Sequence, residues 1–174
     1  MAKLNNIVMF ACNQGGHFSQ MMALKELFSR YKSILVTDNI HANKDMTPAL
    51  KDIDGIEYAM SMANRRKKLK DRQDTKKKRW KSLTAYISLF KESREIWDKY
   101  RPSVIISTGS NIAVGLFIYG WLRGSKLIFI ESRAKVHSKT FSGKIVQRFT
   151  DKFFVQWPEM KKVYPTSEYC GTLV

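Results

Sequence analysis

The chain has 174 residues, of which 44% are hydrophobic; this length and composition indicate one folded domain with a substantial core and exclude a disordered chain. Its 31 Lys and Arg against 15 Asp and Glu give a net charge of +16, which indicates an anionic partner: nucleic acid, an acidic membrane or a phosphorylated substrate. The two cysteines, Cys12 and Cys170, exclude a disulfide framework and a cysteine-based zinc site, and they fit a reduced compartment.

The N-terminal region predicts a strand, a glycine loop and a helix. Residues 7–12 form an apolar run of strand length, and Gly15 and Gly16 follow. Apolar side chains at three- and four-residue spacing over residues 21–31 predict one helix. In an open parallel sheet, the turn after the first strand lies at the carboxyl edge, where ligands usually bind, and glycines let the backbone approach a ligand. His17 stands where this loop becomes a helix.

A strongly basic segment follows the next two predicted strands. These strands lie at residues 33–37 and 56–59, and a polar loop over residues 38–48 separates them. Residues 65–81 hold eleven Lys and Arg against two Asp, more than half of the net charge. The segment is either a solvated surface or a contact with anionic lipid or a lipid-linked pyrophosphate. Because Trp80 is its one aromatic, whereas RNA-binding proteins interleave several, we expect no nucleic-acid partner.

The rest of the sequence alternates helices and strands. Apolar residues at three- and four-residue spacing from Trp80 to Trp97 predict an amphipathic helix of about twenty residues, which should end before Pro102. Further strands are predicted at residues 104–108, 126–130 and 153–155, helices at residues 112–122 and 141–149, and a short β-like tail at residues 169–174. This alternation predicts a doubly wound α/β domain with a mainly parallel sheet.

The sequence shows neither a signal peptide nor a transmembrane helix. The first apolar run is too short for a signal peptide. The longest later one, residues 112–122, is about half of the ~20 residues that span a bilayer. Association with a membrane surface stays open.

Three predicted strands end in segments that should meet at one edge of the sheet. These segments are Gly15-Gly16-His17, Gly109-Ser110-Asn111 and Glu131-Ser132-Arg133. A histidine and a glutamate that share a cleft can do acid–base chemistry when their pKa values are tuned. Each also has an ordinary alternative, His17 as a loop or capping residue and Glu131 as a charged strand end.

Several common site patterns are absent from the sequence. Neither the dinucleotide fingerprint G-x-G-x-x-G nor the P-loop ending in Gly-Lys-Ser/Thr occurs, and Gly109-Ser110-Asn111 lacks the G-x-S-x-G spacing of a nucleophile elbow. The three histidines, His17, His41 and His137, have no metal-ligand spacing. We therefore expect no metal.

The glycine loop Gly15-Gly16-His17 resembles that of GT-B glycosyltransferases, including the peptidoglycan enzyme MurG. The other matching segments are Ile105-Ile106-Ser107-Thr108-Gly109, Ile130-Glu131-Ser132-Arg133-Ala134, Phe154-Val155-Gln156-Trp157-Pro158-Glu159, Tyr164-Pro165 and Gly171-Thr172-Leu173. In their order and spacing they resemble the membrane-recruiting subunit of the two-subunit UDP-N-acetylglucosamine transferase of asparagine-linked glycosylation. They are even more similar to its bacterial capsule and exopolysaccharide relatives of the PssD type.

This resemblance implies a Rossmann-like fold that corresponds to the N-terminal, acceptor-side domain of a GT-B enzyme. The expected domain spans residues 1–174, with a basic insertion or helix at about 64–81. A separate small donor-domain subunit would bind the nucleotide-sugar, UDP-linked and without a metal cofactor, in a heterodimer or larger complex. The acceptor would be a polyprenyl-pyrophosphate-linked saccharide at the cytoplasmic membrane face. Eukaryotic members carry an N-terminal membrane anchor, which is not seen here, so the protein would attach peripherally.

The resemblance also implies roles for the residues of the three strand ends. His17 would be the general base, since imidazoles exchange protons near neutral pH, and Glu131 would assist catalysis. Acceptor binding would involve Gly15, Gly16, Gly109, Ser110, Asn111, Ser132 and Arg133. Membrane or anionic-lipid contact would involve Arg65, Arg66, Lys67, Lys68, Lys76, Lys77, Lys78 and Arg79. A non-catalytic scaffold that recruits a catalytic partner is the alternative, and a basic RNA-binding module is the third.

Overall fold

The protein is a seven-stranded parallel sheet with helices on both faces, in a computed structural model that describes residues 4–38, 50–59 and 78–173. The strand order is β3-β2-β1-β4-β5-β6-β7, and every neighbouring pair is parallel. The strands are β1 Leu4–Ala11, β2 Tyr31–Thr37, β3 Gly55–Tyr58, β4 Val104–Ser107, β5 Lys126–Ile130, β6 Lys152–Val155 and β7 Glu168–Tyr169. The helices are α1 Gly16–Met22, α2 Lys25–Arg30, α3 Lys78–Tyr100, α4 Ile112–Leu122, α5 Phe141–Val146 and α6 Met160–Val163.

Successive residues of β1 supply two separate hydrophobic cores. Val8 and Phe10 pack into the cluster that includes residues of α1 and α2, whereas Met9 and Ala11 pack into the cluster that includes residues of α3 to α6. This division follows from the two-residue period of a strand, and burial on both faces is typical of parallel sheets. The predicted doubly wound fold is confirmed.

The single helix predicted over residues 21–31 is wrong. The chain forms α1 and α2 with a turn between them, in which the Leu24 amide donates to the Met21 carbonyl at 2.9 Å. Tyr31 already belongs to β2, where it pairs with Leu4 of β1. The apolar spacing continues through the turn because both helices cover the same sheet face, where Phe28 packs edge-to-face on Phe10.

The other helices differ from prediction mainly at their ends. The helix predicted at residues 141–149 ends at Val146, and the chain then forms hydrogen-bonded turns as far as Thr150. In the tail, β7 holds Tyr169, but residues 170–173 form no strand. The loop at residues 39–48 and the basic segment at residues 65–77 lie outside the described residues, as do the side chains at 78–85.

Helix α4 is apolar on every side because it is enclosed by the protein. Eight of its eleven residues are buried, and a Cβ on Gly115 would lie 2.3 Å from the Ser93 hydroxyl of α3. Its exposed apolar side chains, Trp121 and Leu122, lie at its C-terminal end. Within residues 4–38, 50–59 and 78–173, no helix has the length and apolar character needed to cross a bilayer.

Candidate functional site

The glycine loop after β1 leaves its backbone open to a ligand. Gly15 has a φ of +76°, a left-handed conformation that favours glycine, and Gly16 begins α1. A Cβ at either glycine would meet no atom within 4 Å. Space therefore surrounds this backbone, as a close approach by a substrate requires.

His17 is held to the end of β4 by two hydrogen bonds with Thr108. The ring Nδ1 lies 2.6 Å from the Thr108 carbonyl oxygen, and the Thr108 hydroxyl donates to the His17 carbonyl at 2.7 Å. Because a carbonyl oxygen can only accept, Nδ1 carries a proton. In the neutral ring, Nε2 then has the free lone pair that a general base needs.

Gly109 lies between His17 and the end of β5. A Cβ on Gly109 would lie 3.2 Å from His17 Cε1 and 3.3 Å from the Ser132 amide nitrogen. The three strand ends thus meet at one place, around Gly109. The Gly109 φ of +97° also disfavours any other residue here.

Gly109→Ala should destabilise the fold and displace the His17 ring. Gly124 provides the matched control, since it also has a positive φ, +81°, but a Cβ there would meet nothing within 4 Å. Both alanine variants should lose about 1–2 kcal/mol through backbone strain. Only Gly109→Ala should lose more in thermal unfolding and shift the His17 Hε1 resonance in NMR spectra. Equal losses with an unshifted resonance would contradict the close contact.

Ser110 belongs to a brace that fixes the glycine loop. Its hydroxyl donates to Asn13 Oδ1 and accepts from the Ile112 amide at 3.1 Å. Asn13 in turn donates to Asp38 Oδ2 at 2.7 Å, so the ends of β1, β2 and β4 are joined. Ser110 is buried and is used by the protein itself, whereas Asn111 is exposed before α4.

The Glu131 carboxylate is buried, with 1% exposure, and both its oxygens accept hydrogen bonds. The Ser132 amide donates to Oε1 at 2.8 Å. Oε2 accepts from the Thr140 amide at 3.3 Å, the Thr140 hydroxyl at 2.9 Å and the Tyr164 hydroxyl at 2.6 Å. Burial raises the pKa of Tyr164, and its bond to Glu131 adds to the rise. This geometry favours a positioning role for Glu131 over proton transfer.

A buried pair of glutamines joins the same edge and was missed by the sequence reasoning. Gln156 donates to Gln20 Oε1 at 2.5 Å and to the Glu131 carbonyl at 2.9 Å. Gln20 also accepts from the Arg133 amide at 3.2 Å, and Gln156 accepts from the Leu173 amide at 3.0 Å. Two signals were available for Gln156: it directly follows a buried strand, and it belongs to the family-like segment at residues 154–159.

Cys12 is fully buried, and burial together with Asp38 raises its thiol pKa, so it is no candidate nucleophile. The predicted lipid contacts from Arg65 to Lys77 lie outside the described residues, and Lys78 and Arg79 begin α3. In the part of the chain that the structure describes, no three His, Cys, Asp or Glu residues could hold a metal ion.

The fold is similar to one domain of GT-B proteins. The structure matches MurG of Acinetobacter baumannii with a TM-score of 0.66 at 14% identity, over 97% of this chain and 45% of that one. It matches the UDP-N-acetylglucosamine 2-epimerase of Rickettsia bellii with a TM-score of 0.64 at 11% identity, over 98% and 46%. At these identities the likeness concerns the fold alone.

The chain belongs to the Alg14-like family, "Oligosaccharide biosynthesis protein Alg14 like", whose model matches residues 7–173. It is 35% identical over 96 residues to the UDP-N-acetylglucosamine transferase subunit alg14 of Schizosaccharomyces pombe, covering 51% of this chain and 46% of that protein. The human subunit ALG14 is 24% identical over 188 residues, covering 96% and 82%. The ALG14 subunit of Yarrowia lipolytica is 34% identical over 98 residues, covering 53% of this chain and 45% of that protein. The matches to the two fungal proteins thus span about half of the length of those proteins.

Proposed function

We propose that this chain is the acceptor-binding subunit of a heteromeric inverting glycosyltransferase. A separate donor-domain subunit would supply the nucleotide-sugar, which is UDP-linked, and the acceptor would be a polyprenyl-pyrophosphate-linked saccharide at the cytoplasmic membrane face. Family membership supports this, since the similar proteins are named transferase subunits. The match to about half of MurG supports a chain that forms one side of a cleft.

The observation that carries the proposal is the hydrogen bond from His17 Nδ1 to the Thr108 carbonyl. It fixes the ring with Nε2 as the available base. Nε2 would take the proton of the acceptor hydroxyl as its oxygen attacks the anomeric carbon. The bond from that carbon to the nucleotide diphosphate breaks on the opposite face, so the configuration inverts and the nucleoside diphosphate leaves.

The remaining residues would position the acceptor around this base. Gly15 and Gly16 offer exposed backbone, and Asn111 and Arg133 are exposed side chains at the same edge. Gly109, Ser110, Ser132 and Glu131 would hold these groups in place through the contacts described above. We propose no metal in this step, and the sugar diphosphate would be neutralised by the partner's residues and by cations of this chain.

Membrane attachment would come from the basic segment at residues 64–81 and from exposed apolar side chains of α3 and α5. Each Lys or Arg close to an anionic membrane contributes about 1 kcal/mol. Ile87 on α3 and Phe141 on α5 are more than half exposed, at 61% and 53%, and suit the interface. We propose a single domain over residues 1–174 and a bacterial capsule or exopolysaccharide context, as the PssD-type resemblance implies.

Purification of this chain with its natural partners tests the split enzyme. A small donor-domain protein should co-purify, and the complex should transfer a sugar from a UDP-sugar to a polyprenyl-diphosphate acceptor in anionic vesicles, whereas neither subunit alone should. An active single chain would refute the proposal. Activity of the partner alone, only enhanced by this chain, would favour the scaffold alternative. The hydrogen bonds that both oxygens of the buried Glu131 carboxylate accept within the protein also favour it.

A further inference from the structure

The loop between β5 and α5 presents cations that no described carboxylate neutralises. Residues 131–140 carry Arg133, Lys135 and Lys139, and their one acidic residue, Glu131, is buried. Other exposed lysines form close ion pairs, such as Lys126 with Asp151 at 2.8 Å and Lys152 with Glu168 at 2.6 Å. Among the described residues, Arg133 and Lys135 form no ion pair. Their charges are available to an anionic ligand.

Hydrogen bonds hold the start of the loop close to the candidate base. The Arg133 amide donates to Gln20, and its carbonyl accepts from Trp157 Nε1 at 2.7 Å. A Cβ on Gly109 would lie 3.3 Å from the Ser132 amide nitrogen at the start of the loop, and the Ser142 hydroxyl of α5 donates to the Gly109 carbonyl at 3.4 Å. Because a Cβ on Gly109 would also lie 3.2 Å from His17 Cε1, the backbone at Ser132, where the loop begins, lies close to the His17 ring.

Lys139 faces inward and is already engaged. Its Nζ donates to Gln147 Oε1 at 3.0 Å and lies 4.7 Å from the centre of the Tyr164 ring. It therefore helps to shape the loop, and Arg133 and Lys135 are the cations left for a ligand.

An apolar groove adjoins the C-terminal end of this loop. It lies between α3 and α4 as a cavity of about 320 Å³. Its lining residues are Tyr86, Ile87, Leu89, Phe90, Val114, Gly115 and Ile118. Phe141, the residue after Thr140, lies against its rim, with its ring centre 6.3 Å from that of Tyr86. The loop that carries the two cations thus ends at an apolar groove.

We propose that the acceptor's diphosphate binds Arg133 and Lys135 and that its first isoprene units lie in the α3–α4 groove. This inference rests on the proposed function and extends it to the residues that bind the lipid. Guanidinium and ammonium groups form strong charge-assisted hydrogen bonds with phosphate oxygens. A nucleotide also has a diphosphate, but its sugar and base are polar, whereas the groove matches an isoprenoid chain.

Binding of geranyl diphosphate to the full chain, measured by calorimetry, tests the inference. R133Q/K135Q should weaken binding about 100-fold, since each charge-assisted hydrogen bond contributes on the order of a tenfold effect or more. Lys32→Gln is the matched control, because Lys32 is an exposed cation at the opposite edge of the sheet, and it should change binding less than twofold. Ile87→Gln should remove much of the preference for geranyl diphosphate over inorganic pyrophosphate.

Three outcomes would overturn the inference. One is an equal loss in Lys32→Gln and R133Q/K135Q, which would reveal general charge attraction. Another is equal binding of geranyl diphosphate, pyrophosphate and UDP, which would remove the isoprenoid assignment. The third is no binding of geranyl diphosphate at all. Since this assay needs neither the partner nor turnover, its failure is distinguishable from failure of the proposed transferase activity.

Discussion

His17→Gln should lower the rate of sugar transfer by the reconstituted complex about 10²–10⁴-fold, the usual contribution of a general base. The Thr108 hydroxyl donates to the backbone carbonyl at position 17 and can do so with any side chain there, so the loop should keep its shape. Glutamine has no basic nitrogen, however, and cannot take the acceptor proton. The measurement is the single-turnover rate at saturating UDP-sugar and acceptor.

Chemical rescue separates a lost base from a lost fold. Added imidazole should restore part of the transfer activity of His17→Ala, while the thermal unfolding and partner assembly of both His17 variants should match those of the unmodified chain. Near-normal transfer by His17→Gln would refute the assignment. Loss of transfer without rescue, accompanied by loss of partner binding, would instead support the scaffold alternative.

The buried strands could be predicted from the sequence because their signal is local. Residues 104–106 form an apolar, β-branched run between Pro102 and Gly109, and a parallel strand buried on both faces needs such a run. The break between α1 and α2 could not be predicted, because Leu24 keeps the apolar spacing and packs against the same core. Periodicity records which face is buried and does not record whether the helix is continuous.

The candidate site could be predicted only in outline. Parallel strand order brings His17, Gly109 and Glu131 to one edge, but the contacts that give them their properties join residues far apart in the chain. Thr108 lies 91 residues from His17, and Gln156 lies 136 residues from Gln20. A carbonyl acceptor has no sequence signal at all. Whether a glutamate faces a cleft or a buried hydroxyl depends on such long-range packing. The sequence therefore predicts the position of Glu131 at the edge of the sheet but not its burial or its hydrogen-bond partners.

Glu131→Gln should lower the free energy of unfolding by about 2–4 kcal/mol, because it leaves buried donors without an acceptor. In either amide orientation, the new NH₂ group would face existing donors: the Ser132 amide on one side, or the Thr140 and Tyr164 hydroxyls on the other. The side chain has no room to turn away, since a Cβ on Gly143 would lie 2.5 Å from Glu131 Oε2. Denaturant unfolding measures the loss.

Two further variants calibrate that result. Tyr164→Phe removes one donor and leaves the carboxylate with its other partners, so it should cost about 1–2 kcal/mol. Glu159→Gln changes an exposed glutamate and should stay within about 0.5 kcal/mol. If Glu131→Gln unfolds like Glu159→Gln, the buried network contributes nothing to stability. If its stability is unchanged while sugar transfer is lost, Glu131 takes part in the chemistry itself, and the positioning role that its hydrogen bonds favour is wrong.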